Sequence, residues 1–349
     1  MTTRNLTLIV LAAAISASAH AADKPKLTLD EFFNYVDYPA IQISPDGHAI
    51  VIETERADWE QNIFRKDLWL YRDNGQAEGT LTQLTRSGHD SDPQWSPDGR
   101  WIAFLSERKT PDKKEKHSTG ESDTAQLYLI SPNGGEAFPV TEGEEEVHAF
   151  AWSPDSRTLY FATRAPWTKA QKDGYKKDWK DVSQYRAAER GDMIFSLDVA
   201  DAISRHTAAG SKARDDSDDG KASDATPGSR PLAVSAWKVQ QLKASPDGRK
   251  LAFVTTSISE RQEKVEEFEV FSVDLAGASP DRPVRQLTHN QAVEDDIDWT
   301  NDSKHIFFQV GIGSVEGKYV DTQRRLYWLD ADSGAVQRWA ADFGGDVSR

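Results

Sequence analysis

The sequence predicts an all-β fold, a β-propeller of about five four-stranded blades whose ring is incomplete. Three observations predict it. One hairpin motif recurs five times, two further short strands follow each recurrence in the same order, and the period is close to 55 residues. A fixed period of this length is the signature of a radially repeated sheet, since a solenoid repeats faster and a sandwich does not reuse one turn chemistry in one strand order.

The five motifs are IQISPDGHAIVIET from Ile41, PQWSPDGRWIAFLS from Pro93, FAWSPDSRTLYFAT from Phe150, LKASPDGRKLAFVT from Leu242 and IDWTNDSKHIFFQV from Ile297. Their aspartates are Asp46, Asp98, Asp155, Asp247 and Asp302, so successive spacings are 52, 57, 92 and 55. The third unit therefore carries an insertion of roughly 37 residues. In each motif one strand enters, Ser-Pro-Asp-Gly turns, and an apolar run such as Trp101, Ala103 and Leu105 leaves. Proline presets φ, aspartate bonds nearby backbone, and glycine takes the left-handed conformation. The turns centre near Pro45, Pro97, Pro154, Pro246 and Asn301; Ser156 and Ser303 replace the glycine and weaken the signal in units three and five. Third strands are expected at DLWLY, QLYLI, MIFSLDV, EVFSVDL and RLYWLDA. Fourth strands are expected at LTQLT, AFPVT, RPLAV, VRQLT and AVQRW.

Ahead of the blades, residues 1–21 combine Arg4, an apolar run from Leu6 to about Ala17 and an Ala19-His20-Ala21 end, the pattern of a cleavable secretory signal peptide. The run is too short for a membrane anchor, which needs about 20 apolar residues. The destination expected is periplasmic or secreted. Residues 22–38 form a lead-in segment with a short helix over Leu27 to about Tyr35, because Thr28 and Glu31 have capping-box spacing. The blades fill 39–349. Within them, residues 208–230 are rich in Ser, Asp, Gly and Ala without aromatics and read as a mobile loop.

Composition narrows the chemistry. The 349 residues include no cysteine, which excludes disulfides, thiolate nucleophiles and zinc-thiolate sites. A formal charge of −15 opposes binding to phosphate backbones, so nucleic acid is not an expected partner despite lysines among aromatics in the insertion. Asp215, Asp216, Asp218 and Asp219 lack calcium-loop spacing and the histidines form no ligand pattern, so neither metal nor cofactor is expected. Trp95, Trp152 and Trp299 recur at one blade position, which indicates core packing.

The WSPDG hairpins at this period, the signal peptide, the LTLDEFF lead-in, the RKDLWLY strand and the DWKDVSQYRAAERGD insertion resemble the N-terminal propeller of the prolyl oligopeptidase family of serine peptidases. The likeness is to its bacterial exported dipeptidyl-peptidase and acylaminoacyl-peptidase-like branch, over Leu27 to Arg349; the hairpins alone are shared with TolB-like propellers. The resemblance implies an α/β-hydrolase domain with a Gly-x-Ser-x-Gly elbow. Here the only glycines at that separation enclose Ala77 and Val315, and the chain stops at FGGDVSR where a further blade is due. The expectation is a propeller cut short of its catalytic domain and inactive alone, which admits short peptides to a chamber completed by that missing domain. The alternative is a non-catalytic TolB-like propeller that binds a protein or peptide.

The insertion from Arg164 to Asp192 is the candidate substrate-facing element, with Trp167, Tyr175, Trp179, Tyr185, Arg186, Glu189 and Arg190. In aminopeptidase-like relatives, acids on such an insertion hold the peptide's free amino terminus. The resemblance thus assigns that role to Glu189, with Arg186 and Arg190 beside it as substrate-binding residues. The competing reading is a surface ion pair between Glu189 and Arg186. Glu144, Glu145 and Glu146 read as an exposed turn.

Overall fold

Each repeat folds as one antiparallel sheet, and its strands are hydrogen-bonded in chain order. The computed structural model describes residues 26–73, 75, 78–108, 124–143, 145–180, 190–211, 226–258, 264–314 and 323–347. Residues 1–21, read above as a signal peptide, lie outside them, as do residues 212–225. In blade one, β1 (Val36–Asp37) and β2 (Ile41–Ile43) share the inner edge of β3 (Ala49–Asp58), which is followed by β4 (Ile63–Arg72) and β5 (Thr80–Gln83). Blade two holds β6 (Asp90–Trp95), β7 (Ile102–Ser106), β8 (Gln126–Ile130) and β9 (Phe138–Pro139). Blade three holds β10 (Val147–Trp152), β11 (Thr158–Arg164), β12 (Asp192–Asp198) and β13 (Arg230–Val234). Blade four holds β14 (Lys238–Ala244), β15 (Lys250–Thr256), β16 (Val270–Asp274) and β17 (Arg285–Gln286), and blade five β18 (Gln291–Trp299), β19 (His305–Ser314), β20 (Arg325–Asp330) and β21 (Val336–Arg338). The fold is a β-propeller.

The five turns use one hydrogen-bond scheme. The Ser or Thr hydroxyl donates to the aspartate Oδ1 at 2.6–2.7 Å in every unit. The same Oδ1 accepts the backbone N–H two residues on, at 3.0–3.1 Å. The hydroxyl bonds hold Asp46, Asp155, Asp247 and Asp302 below the usual carboxylate range. Ser156 and Ser303 do not weaken the turn. They adopt φ of 62° and 59°, close to the 69–76° of Gly47, Gly99 and Gly248. In return for this strained conformation each serine hydroxyl accepts an N–H from the preceding turn, Asp98 at 2.9 Å and Asp247 at 3.0 Å.

The core lies between blades rather than within them. Six residues after each turn aspartate stands Phe104, Phe161, Phe253 or Phe308, all fully buried. Each is paired in register with an aromatic of the third strand, Tyr128, Phe195, Phe271 or Tyr327, at centroid distances of 5.2–5.9 Å. Side chains alternate across a strand, so these pairs all face the preceding blade. There they meet smaller residues: Ala49 and Val51 of blade one, Ala103 of blade two, Ala149, Ala151 and Ala162 of blade three, and Ala252 and Val254 of blade four. Second strands of blades two to four are consequently buried on both faces, not on the one that simple alternation suggests. Trp95, Trp152 and Trp299 pack as expected and also donate indole N–H bonds to Gln42, Gln94 and Lys243 carbonyls one blade back, at 3.1–3.3 Å.

Three helices decorate this frame. α1 (Leu29–Phe33) carries the expected Thr28–Glu31 capping box. α2 (Lys169–Trp179) is capped by Thr168 with Gln171. α3 (Val199–Ser211) corrects the loop reading, because residues 208–211 are helical and only the turn from Thr226 resumes beyond the gap in description. Its signal was legible: Asp198 caps the first turn, and Val199, Ala202 and Ile203 make an apolar face that docks at the seam of blades two and three.

Among the described residues no buried cluster joins blade five to blade one. The face of blade one turned away from blade two stays open: Ile41, Ile43 and Leu81 are 57%, 66% and 59% exposed. Ile52 and Trp69, the register pair equivalent to the buried aromatic pairs, are only half-buried there. Phe253→Ala should therefore cost about 3–5 kcal/mol and Ile52→Ala under about 2 kcal/mol in denaturant unfolding; equal losses would contradict packing between blades. The isolated chain should self-associate in sedimentation through this face, and Ile43→Lys with Ile52→Lys should raise its monomer fraction.

Candidate functional site

The blade-three insertion leaves β11 at Arg164 and re-enters β12 at Asp192, at the end of the blade opposite the Ser-Pro-Asp-Gly turn. Of the three residues singled out in the sequence, Arg186 and Glu189 lie outside the described residues. Arg190 is described and sits at the neck where the insertion returns. Its Nε donates to the Ala165 carbonyl at 2.6 Å, its Nη2 bonds Glu145, and its guanidinium lies 5.1 Å from the Trp167 ring centroid. One side chain thus ties the outgoing limb, the returning limb and the acidic turn ahead of β10.

Glu145 corrects the exposed-turn reading. Its side chain is three-quarters buried and bridges Arg190 and Arg164, the latter at 3.3 Å. An isolated surface ion pair contributes little, but a carboxylate shared by two guanidiniums at a constriction fixes geometry as well as charge. Glu146 is also engaged, accepting from His148 at 3.0 Å and lying 3.7 Å from Lys238 Nζ. The His148 bond, with Lys238 and Arg164 nearby, pulls the Glu146 carboxyl down to about 2. His148 carried no motif in the sequence; the signal available was only its place one residue into an inner strand.

The backbone closes the neck further. Ala165 N–H donates to Gly191 O at 2.9 Å, Asp192 N–H to Trp237 O at 3.2 Å, and Ser235 N–H to Asp192 O at 2.8 Å. Gly191 is required because a Cβ there would stand 2.0 Å from the Ser235 carbonyl oxygen. From the neck outward, Trp167, just before α2, and Tyr175 and Trp179 of α2 form a contiguous aromatic run with centroids 5.1 and 6.4 Å apart. Beside Glu145 a cleft of about 280 Å³, open mouth included, is lined by Gln126, Glu142, Thr163 and Thr226. That falls below the size of small-molecule sites, so the insertion itself is the larger surface on offer. Among the described residues no three His, Asp or Glu side chains gather to hold a metal ion, and no helix is long and apolar enough to cross a membrane.

The neck yields a paired test. Gly191→Ala should destabilise by about 1–3 kcal/mol, because the clash is with backbone that cannot rotate away. Gly174→Ala, within α2 and with no atom within 4 Å of the added methyl, should be neutral or stabilising by up to about 1 kcal/mol. Thermal or denaturant unfolding of both variants measures the difference, and equal behaviour would contradict a tight neck.

Residues 44–163 match the family described as the dipeptidyl peptidase IV N-terminal region. Over 136 residues the chain is 30% identical to the uncharacterized peptidase YuxL of Bacillus subtilis (strain 168), an alignment covering 39% of this chain and 19% of that protein. Pyrococcus horikoshii acylaminoacyl peptidase superposes with a TM-score of 0.52 at 14% identity, over 91% of this chain and 41% of that one. A putative TolB from Agrobacterium tumefaciens aligns at 16% identity over 87% of this chain and 80% of that one, with a TM-score of 0.48. The chain therefore spans less than half the length of the two peptidases it is similar to. It is a β-propeller whose residues 44–163 match the dipeptidyl peptidase IV N-terminal region.

Proposed function

We propose that this chain is the substrate-sorting propeller of an exported serine peptidase acting on short peptides, with the catalytic α/β-hydrolase domain supplied by sequence outside the 349 residues. The observation that carries the reading is the match of residues 44–163, from the first turn to the second strand of blade three, to the dipeptidyl peptidase IV N-terminal region. A propeller contributes to such an enzyme by limiting what enters and by holding one end of the substrate. The clamped neck supports the second task. Arg190 is pinned by Glu145 and Ala165, and Glu189 precedes it in the sequence, with a carboxylate that would pair with a peptide ammonium. Export rests on residues 1–21.

Hydrolysis needs a nucleophile, a base and oxyanion donors held together, and no elbow serine occurs here. The 349-residue chain should neither cleave dipeptidyl or acyl-aminoacyl chromogenic substrates nor label with a fluorophosphonate, whereas a protein that also carries the hydrolase domain should do both. In that longer protein Glu189→Ala should lower kcat/KM for substrates with a free amino terminus by roughly 2–5 kcal/mol more than for N-blocked ones. Equal losses would assign Glu189 to structure. A reading frame lacking Gly-x-Ser-x-Gly would favour the binding propeller of TolB type instead.

A further inference from the structure

His148 occupies the bulge of β10, where the register slips between Val147 and Ala149. Its Nδ1 lies 2.6 Å from Asp192 Oδ2 and its Nε2 3.0 Å from Glu146 Oε1. The side chains of His148 and Asp192 are 2% and 1% exposed. A neutral imidazole has one N–H and can donate to only one of these carboxylates, so both contacts are satisfied together only by the imidazolium. Asp192 passes the contact on, since the same Oδ2 accepts Val239 N–H of β14 at 2.8 Å, while its Oδ1 has no hydrogen-bond partner. Among the described residues, the charged groups facing His148 are Asp192 from β12, Glu146 from the turn before β10 and Lys238 from β14, with Arg164 from the end of β11 acting on Glu146.

We propose that charged His148 is a latch that fastens the neck of the blade-three insertion to the seam between blades three and four, and that loss of its proton releases the neck. Glu146 and Asp192 are the two posts, and Asp192 is also the first residue after the insertion. With a neutral ring, one of the two carboxylates faces a nitrogen lone pair. The arrangement that holds Asp192 against both His148 and Val239 then loses its counter-charge. His148 acts through the neck and is a positioning residue, and the latch holds whether or not the insertion meets a peptide.

The direction of the pH effect follows. Burial by itself lowers the His148 pKa, but the bonds to Asp192 and Glu146 outweigh it and hold the ring above its ordinary 6.5. The stabilisation is therefore complete below about 6.5, the unfolded value, and is lost as pH rises through the higher folded value. The neck is held below about pH 6.5 and released as pH rises through the higher folded value.

Amide hydrogen exchange of the whole chain tests this, read as protection factors at Ala165, Ser235 and Val239 from pH 6 to 9 alongside histidine NMR of His148. Wild-type protection at these amides should fall by about tenfold or more as His148 titrates. H148Q, whose amide cannot donate to both posts, should show the low protection at every pH. E146Q, altered on the more exposed post, should fold and move the transition to lower pH, which keeps the test intact if H148Q does not fold. Flat wild-type protection through the titration of His148, H148Q protection equal to wild type at pH 6, or an unmoved E146Q transition would each overturn the latch. None of these readouts depends on peptidase activity.

Discussion

No blade of this propeller has a core of its own. A four-stranded sheet has two faces, and in blades two to four both are buried, one against each neighbour, so the stabilising contact is the seam where a bulky face meets a small-residue face. The phenylalanine six residues past the turn aspartate, with its third-strand aromatic partner, supplies the bulk; alanines and valines one blade back supply the room. Packing of this kind is nearest-neighbour in character, and each blade's order depends on the next. The open face of blade one, with Ile43, Ile52 and Trp69, is what such a surface looks like without its neighbour.

The same dependence explains why so many acids of this acidic chain are spent inside. At the start of the third strands, Asp67, Asp192 and Glu269 accept the N–H of Gly88, Val239 and Asn290, residues that open the following blade. Blade two does the job with the opposite polarity, Gln126 Nε2 donating to the Glu145 carbonyl. These bonds stitch the seams at the end opposite the turns. Thr85, Thr141 and Thr288 accept third-strand N–H groups at that same end, which accounts for three fourth-strand segments ending on threonine.

The insertion neck is an elaboration of one of these stitches. Asp192 makes the same kind of seam bond as Asp67 and Glu269, from a position one residue earlier in its strand, and His148 with Glu146 and Lys238 lies beside it. The rigidity of the neck comes from Gly191 lying against the Ser235 carbonyl and from Glu145 binding two arginines at once.

The sequence by itself determined the repeat and the strand order, which its period carries, and the five turns and the capped lead-in helix, which rest on bonds between residues at most five apart: Ser44 to Asp46 and Ala49, or Thr28 to Glu31. It also placed the insertion, since an excess over a regular period is local information. It did not reveal that Ser156 and Ser303 strengthen the ring, because their partners, Asp98 and Asp247, are 58 and 56 residues away. Nor did it reveal that Glu145 is clamped, or that His148 stands between two carboxylates, since the second of these, Asp192, is 44 residues distant. Those contacts cross from one strand or blade to another, and only the packing of whole sheets, with bulky faces seated on small ones, brings such residues within a hydrogen bond of each other.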